Sequence, residues 1–373
     1  MKKVIEIILY LLFLASFLNM IKVLQSNYLP DFNVYYSSAT FALHGGNPYL
    51  FEGAFTGGFL YPPFCLLLFY PFALLPILIA SKLWTVISIL CLLLAIWLLL
   101  RLYNSDKNNI MVVVAGILVF NYFPVKFTLG MGQINILILL LIVCALFFFK
   151  KNNNKQTSFF FALSLMIKYF PFILIPYLLT RKQWNIVTKV CLIGIALAII
   201  GFISLGPSSN IYYLLHTIPS LSMESNGSYY YNQALSGFLQ RDFGYLSFFQ
   251  LNVIRAVLSL LFLIITAWIL IKRKIKNYNP NLEIGIVITL SLLLSSFSWQ
   301  HHFILLLIPL IVTYFVIKQH KLTWYFYVIL AICYLLTASN ASNPSQLPIV
   351  LQSHIFYGAL ILWILDLYLL YRF

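Results

Sequence analysis

Long apolar runs decide what this chain can fold into. Stretches of about 15 to 25 residues, almost free of charge, recur from one end to the other. About 20 helical residues suffice to cross the hydrocarbon of a bilayer. Within it every backbone N–H and C=O needs an internal partner, which a helix supplies. Hydrophobic residues fill 62% of the 373 positions and charged residues only 8%, against roughly a quarter in soluble domains. The expected fold class is all-α and integral to the membrane, one polytopic domain over 1–373 with no room for a separate soluble unit.

A net charge of +15 raises the question of nucleic acid. The cations do not form a stripe with interleaved aromatics. They fall in short loops between apolar runs: Lys2-Lys3, Lys150-Lys151, Arg181-Lys182, Lys272-Arg273-Lys274, and Lys318 with Lys321. That is the positive-inside pattern, so nucleic acid is not an expected partner and membrane lipid is. Used as a parity rule, it gives ten full crossings, at about 4–24, 77–100, 110–124, 132–149, 186–206, 249–271, 283–298, 303–317, 322–338 and 350–371. Two further apolar pieces fit only as partial insertions. The proline-rich piece 62–76 must dip and return if Arg101 and Lys107 are to lie inside. Segment 158–179, with Lys168, Pro171 and Pro176, is basic at both flanks and reads as a broken re-entrant hairpin. Two larger loops, 25–60 and 207–248, and the turn from Pro124 to Gln133 then face outward, and both termini face the cytoplasm. The first run lacks a small-x-small cleavage site and is expected to stay as an uncleaved span.

Chemistry must come from few residues. The chain has eight acids and five cysteines. The cysteines are scattered through apolar runs without a CxxC pair and read as small buried hydrophobes. There is no P-loop, GxSxG, zinc signature or DxD-like acidic pair, so no cofactor or metal is expected. The expected outer face nevertheless gathers polar residues from five distant stretches: Asp31, Tyr61-Pro62-Pro63, Gly132-Gln133, Asn232-Gln233 and His301-His302. Each has a plainer structural alternative. Asp31, between Pro30 and a helix-like run to Leu43, is well placed as an N-cap of an interfacial helix. Lys168 sits in mid-run, where a charge costs roughly 2.5–3.5 kcal/mol and turns to a cavity or a partner; it also reaches headgroups if the hairpin is shallow. The two histidines, beside Trp299, fit an aromatic belt as well as a phosphate contact. Gln133, Asn135, Asn232 and Gln233 cap helices or bind sugar hydroxyls. The sequons at Asn226 and Asn340 decide nothing without a source.

Taken in order, the motifs resemble glycosyltransferase family 87, polyprenol-phosphate-mannose-dependent mannosyltransferases of the GT-C fold. The matching pieces are Asp31 with Tyr35, Gly46-Asn47-Pro48-Tyr49, Tyr61-Pro62-Pro63, Pro124-Val125-Lys126 to Thr128-Leu129, Gly132-Gln133-Ile134-Asn135, Lys168-Tyr169-Phe170-Pro171, Asn232-Gln233 and Ser298-Trp299-Gln300-His301-His302. Ala234 and Ser296 depart from the pattern. The resemblance implies transfer of a hexose, mannose by analogy, from a polyprenyl-phosphate-sugar donor to a lipid or glycan acceptor. Transfer would occur on the outer, periplasmic side of a bacterial inner membrane, with inversion. It implies Asp31 as general base and Lys168, Lys126, His301 and His302 as donor-phosphate contacts. It implies Tyr35, Tyr61, Gln133, Asn135, Asn232, Gln233 and Trp299 as sugar or acceptor contacts. Two rival classes fit less well. A transporter or flippase of lipid-linked saccharides would show repeats and a midplane site. A ligase would carry an Arg-rich outer loop, whereas 207–248 holds Arg241 alone.

Overall fold

A computed structural model describes residues 2–51, 58–103, 109–223, 228–272, 280–296 and 298–373. Lys107, Arg273, Lys274 and the Asn226 sequon lie outside these. Among the described residues the regular structure is helical, with one isolated bridge between Asn232 and Trp299. The order is α1 (Lys2–Ile21), α2 (Pro30–Leu43), α3 (Pro63–Leu67), α4 (Tyr70–Ala73), α5 (Ile77–Tyr103), α6 (Asn109–Asn121), α7 (Phe123–Met131), α8 (Asn135–Lys150) and α9 (Asn154–Ile167). Then follow α10 (Leu174–Thr180), α11 (Trp184–Tyr212), α12 (Ile218–Met223), α13 (Leu235–Asp242), α14 (Phe248–Lys272), α15 (Pro280–Leu294), α16 (Leu307–Gln319), α17 (Trp324–Ala338) and α18 (His354–Arg372).

Proline and glycine set the breaks. Pro30, Pro63 and Pro124 stand in the first turns of α2, α3 and α7, where a missing N–H costs nothing. Pro207 kinks α11 after Gly206, whose backbone (φ 72°, ψ 168°) is open to glycine. Each expected span falls on a helix, but among the described residues six helical stretches are long and apolar enough to cross alone: Lys3–Gln25, Ile77–Tyr103, Trp184–Ser220, Phe248–Lys272, Gln300–Gln319 and Ile349–Arg372. The pair α6 and α7, bent by 57°, makes a seventh if it counts as one span. Helices α8, α15 and α17 are shorter, at 16, 15 and 15 residues.

Two local expectations change. The stretch from Pro124 to Gln133 is not a turn: α7 fills most of it. Asp31 is not an N-cap: Leu29 holds that position with no side-chain cap bond, and Asp31 lies in the first turn of α2. Piece 62–76, expected as a partial insertion, is two helices of five and four residues, each too short to cross alone. Segment 158–179 is broken, as its prolines require: α9 stops at Ile167, Lys168 is extended, and a 3-10 turn at Phe170–Ile173 leads into α10.

The core runs through α8, packed between α5 and α9, and through α15, packed against α16 and α18. α1 lies at the edge against α6 and leaves Val4, Ile8, Leu11 and Leu14 open, as a lipid-facing helix does. α10 is fixed to α15 by a buried ion pair. Arg181 Nε and Nη2 donate to the two oxygens of Glu283 at 2.8 and 2.6 Å, and the Tyr177 hydroxyl adds a bond of 2.9 Å. A bidentate guanidinium satisfies a carboxylate that could not stay buried alone.

Candidate active site

The site is built at helix breaks. Gly132 ends α7 in the left-handed region (φ 69°), and the N–H groups of Gly132 and Gln133 close back onto Leu129 and Thr128. A Cβ here would stand 2.7 Å from Cβ of Phe32 and 2.9 Å from Cβ of Leu29, closer than atoms approach. Those two residues flank Asp31. The absence of a side chain at 132 therefore lets the start of α2 lie against the end of α7, and it sets Asp31 beside Gln133. Trp84 Nε1 donates to the Gly132 carbonyl at 2.8 Å and holds the turn.

Two tyrosines orient Gln133. The hydroxyls of Tyr35 and Tyr61 meet at 2.9 Å and lie 2.9 and 3.1 Å from Gln133 Oε1. With the amide oxygen so engaged, the Gln133 side chain lies close enough to the Asp31 carboxyl to favour its ionised form. One carboxyl oxygen, Oδ2, is buried without a partner. Burial raises the Asp31 pKa from 3.8 to about 6, against the opposing pull of the Gln133 amide and the Lys168 charge. Such a carboxylate is a base near neutral pH.

Lys168 stands where α9 has ended and the backbone is extended. Its Nζ donates to Asn135 Oδ1 at 2.9 Å and lies 2.9 Å from His302 Nε2. It also sits 5.4 Å from the centroid of the Tyr61 ring, a cation–π arrangement that links it back to Gln133 and Asp31. Asn135 begins α8, and its Nδ2 donates to the His301 carbonyl at 3.3 Å; Thr128 Oγ1 donates to the same oxygen at 3.2 Å. His302 Nδ1 accepts from the Trp299 N–H at 3.2 Å, which turns Nε2 toward the lysine. Five chain segments thus meet in one cluster: Asp31 with Tyr35, Tyr61, Gln133 with Asn135, Lys168, and His301 with His302.

Not every candidate joins it. Lys126 donates to Asn121 Oδ1 at 3.3 Å and is not among the groups that Lys168 touches. Asn232 and Gln233 are buried, and their side chains hold backbone. Asn232 Oδ1 accepts from Ala234 and Ser298, each at 3.1 Å. Gln233 Nε2 donates to the carbonyls of Tyr230 and Gln352, at 2.6 and 2.8 Å. They brace the outer segment 230–234 against 298–300. Trp299 is half-buried and stacks on Tyr231 at 6.1 Å and 10°. Sequence reasoning missed Tyr231 and Thr128; an aromatic residue next to Asn232-Gln233 was a signal too common to single out.

The model of glycosyltransferase family 87 matches residues 59–296. This chain belongs to glycosyltransferase family 87. The matched stretch contains Tyr61, Lys126, Gln133, Asn135 and Lys168, while Asp31 with Tyr35 and residues 298–302 flank it. A curated relative is the polyprenol-phosphate-mannose-dependent alpha-(1-2)-phosphatidylinositol pentamannoside mannosyltransferase of Mycobacterium tuberculosis (strain CDC 1551 / Oshkosh). The chain is 25% identical to it over 294 residues, which is 76% of this chain. It spans 65% of that relative's length. As a family 87 glycosyltransferase with several apolar helices long enough to cross a membrane, the chain is a multi-pass membrane protein.

Proposed function

We propose that the protein moves a hexose, mannose by likeness to its relative, from a polyprenyl-phosphate-sugar donor to a hydroxyl of a glycolipid or glycan at the outer face of the membrane. The observation that carries this reading is the meeting of one acid and one lysine in a single cluster. Asp31 lies beside Gln133, and Lys168 lies on Asn135, His302 and the Tyr61 ring. Sugar transfer from a lipid phosphate needs both. The acceptor oxygen attacks the anomeric carbon while its proton passes to Asp31, whose unpartnered Oδ2 is open to that bond. The bond from the anomeric carbon to the phosphate oxygen breaks, and its electrons leave with the phosphate. Direct displacement inverts the anomeric centre.

Lys168, with His302 behind it, stands ready for the charge that grows on the leaving phosphate. A fixed cation there lowers the barrier because the charge is larger in the transition state than in the bound donor. Tyr35 and Tyr61 set the amide of Gln133, and Gln133 sets Asp31; these are positioning residues. The bilayer delivers the donor laterally, so no nucleotide-binding fold is required. The test is incubation of the purified protein in nanodiscs with radiolabelled polyprenyl-phosphate mannose and host lipid extract. Label should move into a glycolipid fraction. Absence of transfer by wild-type protein, with the donor intact and every acceptor fraction unlabelled, would defeat the reading.

A further inference from the structure

A file of aromatic rings leads away from the cluster. Trp299 stacks on Tyr231 (6.1 Å, 10°), Tyr231 on Phe127 (5.6 Å, 28°) and Phe127 on Phe123 (5.4 Å, 19°). His301 closes its inner end, 5.5 Å from Phe127 and 6.1 Å from Trp299. His301 in turn meets His302, the Lys168 partner, at 4.5 Å. The rings come from α7, the segment 230–234 and the loop before α16, and they keep an open side. Tyr231 is 40% exposed, and Phe123, Phe127 and Trp299 are half-buried.

Three polar side-chain groups along the file have no hydrogen-bond partner among the described residues. His301 is 5% exposed, and its Nδ1 is buried without a partner. Among the described residues, no hydrogen bond comes from the Trp299 indole N–H or the Tyr231 hydroxyl. Native proteins rarely leave a buried ring nitrogen unpaired unless something else pairs with it.

We propose that this file is the acceptor subsite, and that it takes a saccharide of at least two rings rather than a bare lipid alcohol. The inference rests on the transferase reading above. A pyranose has an apolar C–H face and a rim of hydroxyls. The face covers an aromatic ring, and the rim supplies partners to the indole N–H, the tyrosine hydroxyl and His301 Nδ1. A lipid tail would cover the rings and leave all three unpaired. Rings of an interfacial belt serve the membrane separately around the protein; these stack in one line that ends at the cluster. The sugar that receives the new bond sits against Trp299 and His301, at the end of the file that meets the cluster, and the preceding sugar lies on Tyr231 and Phe127.

The test compares wild type with Phe127→Ala and Tyr231→Ala, using polyprenyl-phosphate mannose and octyl glycosides of mannose and of a mannose disaccharide. Transfer and slow hydrolysis of the donor to free sugar are measured together. Phe127→Leu and Tyr231→Phe control for packing, and melting curves check folding. Wild type should prefer the disaccharide. Each alanine variant should raise KM for the disaccharide by about tenfold, the scale of one lost aromatic contact. KM for the monosaccharide, KM for the donor and the hydrolysis rate should hold. If wild type transfers normally but the variants leave acceptor KM unchanged, or shift donor KM instead, the file is a membrane belt or a donor site and the proposal is overturned. If wild type neither transfers nor hydrolyses, the transferase reading fails and the subsite with it.

Discussion

Replacing Asp31 by asparagine should inactivate the protein and stabilise it at once. Burial moves the Asp31 carboxyl from 3.8 to about 6. At 1.36 kcal/mol per pKa unit, the ionised form in the folded protein costs about 3 kcal/mol. Part of Asp31 remains open to water, and screening there reduces the figure to about 1–2 kcal/mol. Loss of a negative charge in the first turn of α2 works the other way, by about 0.3–1 kcal/mol. The sign follows from proton linkage. The folded form binds its proton more tightly than the unfolded form. Stability from this group is therefore full below pH 3.8, falls as pH rises toward about 6, and stays low above it. The neutral amide of Asp31→Asn carries no such cost. The variant should melt about 1–2 °C higher than wild type at pH 8 and gain nothing at pH 4. Transfer should fall by roughly 10²–10⁴, the usual worth of a general base. Thermal melting of detergent-solubilised protein at the two pH values, with transfer assayed in parallel, checks both. Near wild-type transfer by a folded Asp31→Asn protein would refute the base. A variant that melts lower at pH 8 would refute the claim that the carboxylate is held at a cost.

The same carboxyl predicts an acid limb in wild-type kcat/KM for transfer: activity should rise with pH through about 6, because the free base form appears there. Lys168→Gln should lower kcat by about 10²–10³, the scale of removing one group that stabilises transition-state charge; a small effect would remove the lysine from the reaction. Gly132→Ala should both destabilise the protein and slow transfer, since its Cβ meets Leu29 and Phe32 at under 3 Å and pushes Asp31 off Gln133; expression and kcat read the two effects. Glu283→Gln breaks the buried pair with Arg181 and should cost about 3–5 kcal/mol. Transfer per folded molecule should hold, because neither residue touches the cluster; loss of transfer with unchanged melting would contradict that.

Composition alone carried much of the fold into view. An apolar run has one way to satisfy its backbone in lipid, so each expected span landed on a helix. The crossing number was harder to read. Helices α8, α15 and α17 are short, and whether a short helix crosses depends on its neighbours, which a single sequence does not display. Asp31 and Lys168 stood out because a lone charge in apolar surroundings needs a reason. Their partners did not, since the contact between Lys168 and His302 joins positions 134 apart. Gln133 and Gln233 look alike in the sequence, yet one faces Asp31 and the other is spent on the carbonyls of Tyr230 and Gln352. An amide reads the same whether it serves substrate or backbone. The expectation of a turn at 124–133 failed because Pro124 starts a helix as readily as it ends one.

One regularity connects the legible part to the rest. The cluster's polar side chains stand mostly at helix interruptions. Asp31 is in the first turn after Pro30, Gln133 follows Gly132, Asn135 opens α8, Lys168 follows the end of α9, and His301 and His302 sit in the 3-10 turn before α16. The physical cause is that a continuous helix in lipid leaves few places for a polar side chain except helix–helix seams. An interruption frees backbone groups that must be buried against protein or face a watery cavity. A cavity is also what a charged reactant needs, so the places that tolerate a break are the places that host chemistry. A lone polar residue within a few positions of a proline or glycine in an apolar run is therefore a better pointer to the site than polarity alone. Proximity alone does not separate Lys168, three residues before Pro171, from Lys126, two residues after Pro124. What separates them is the break itself: Lys168 follows the end of α9 on extended backbone and joins the cluster, whereas Lys126 lies within α7 and bonds Asn121.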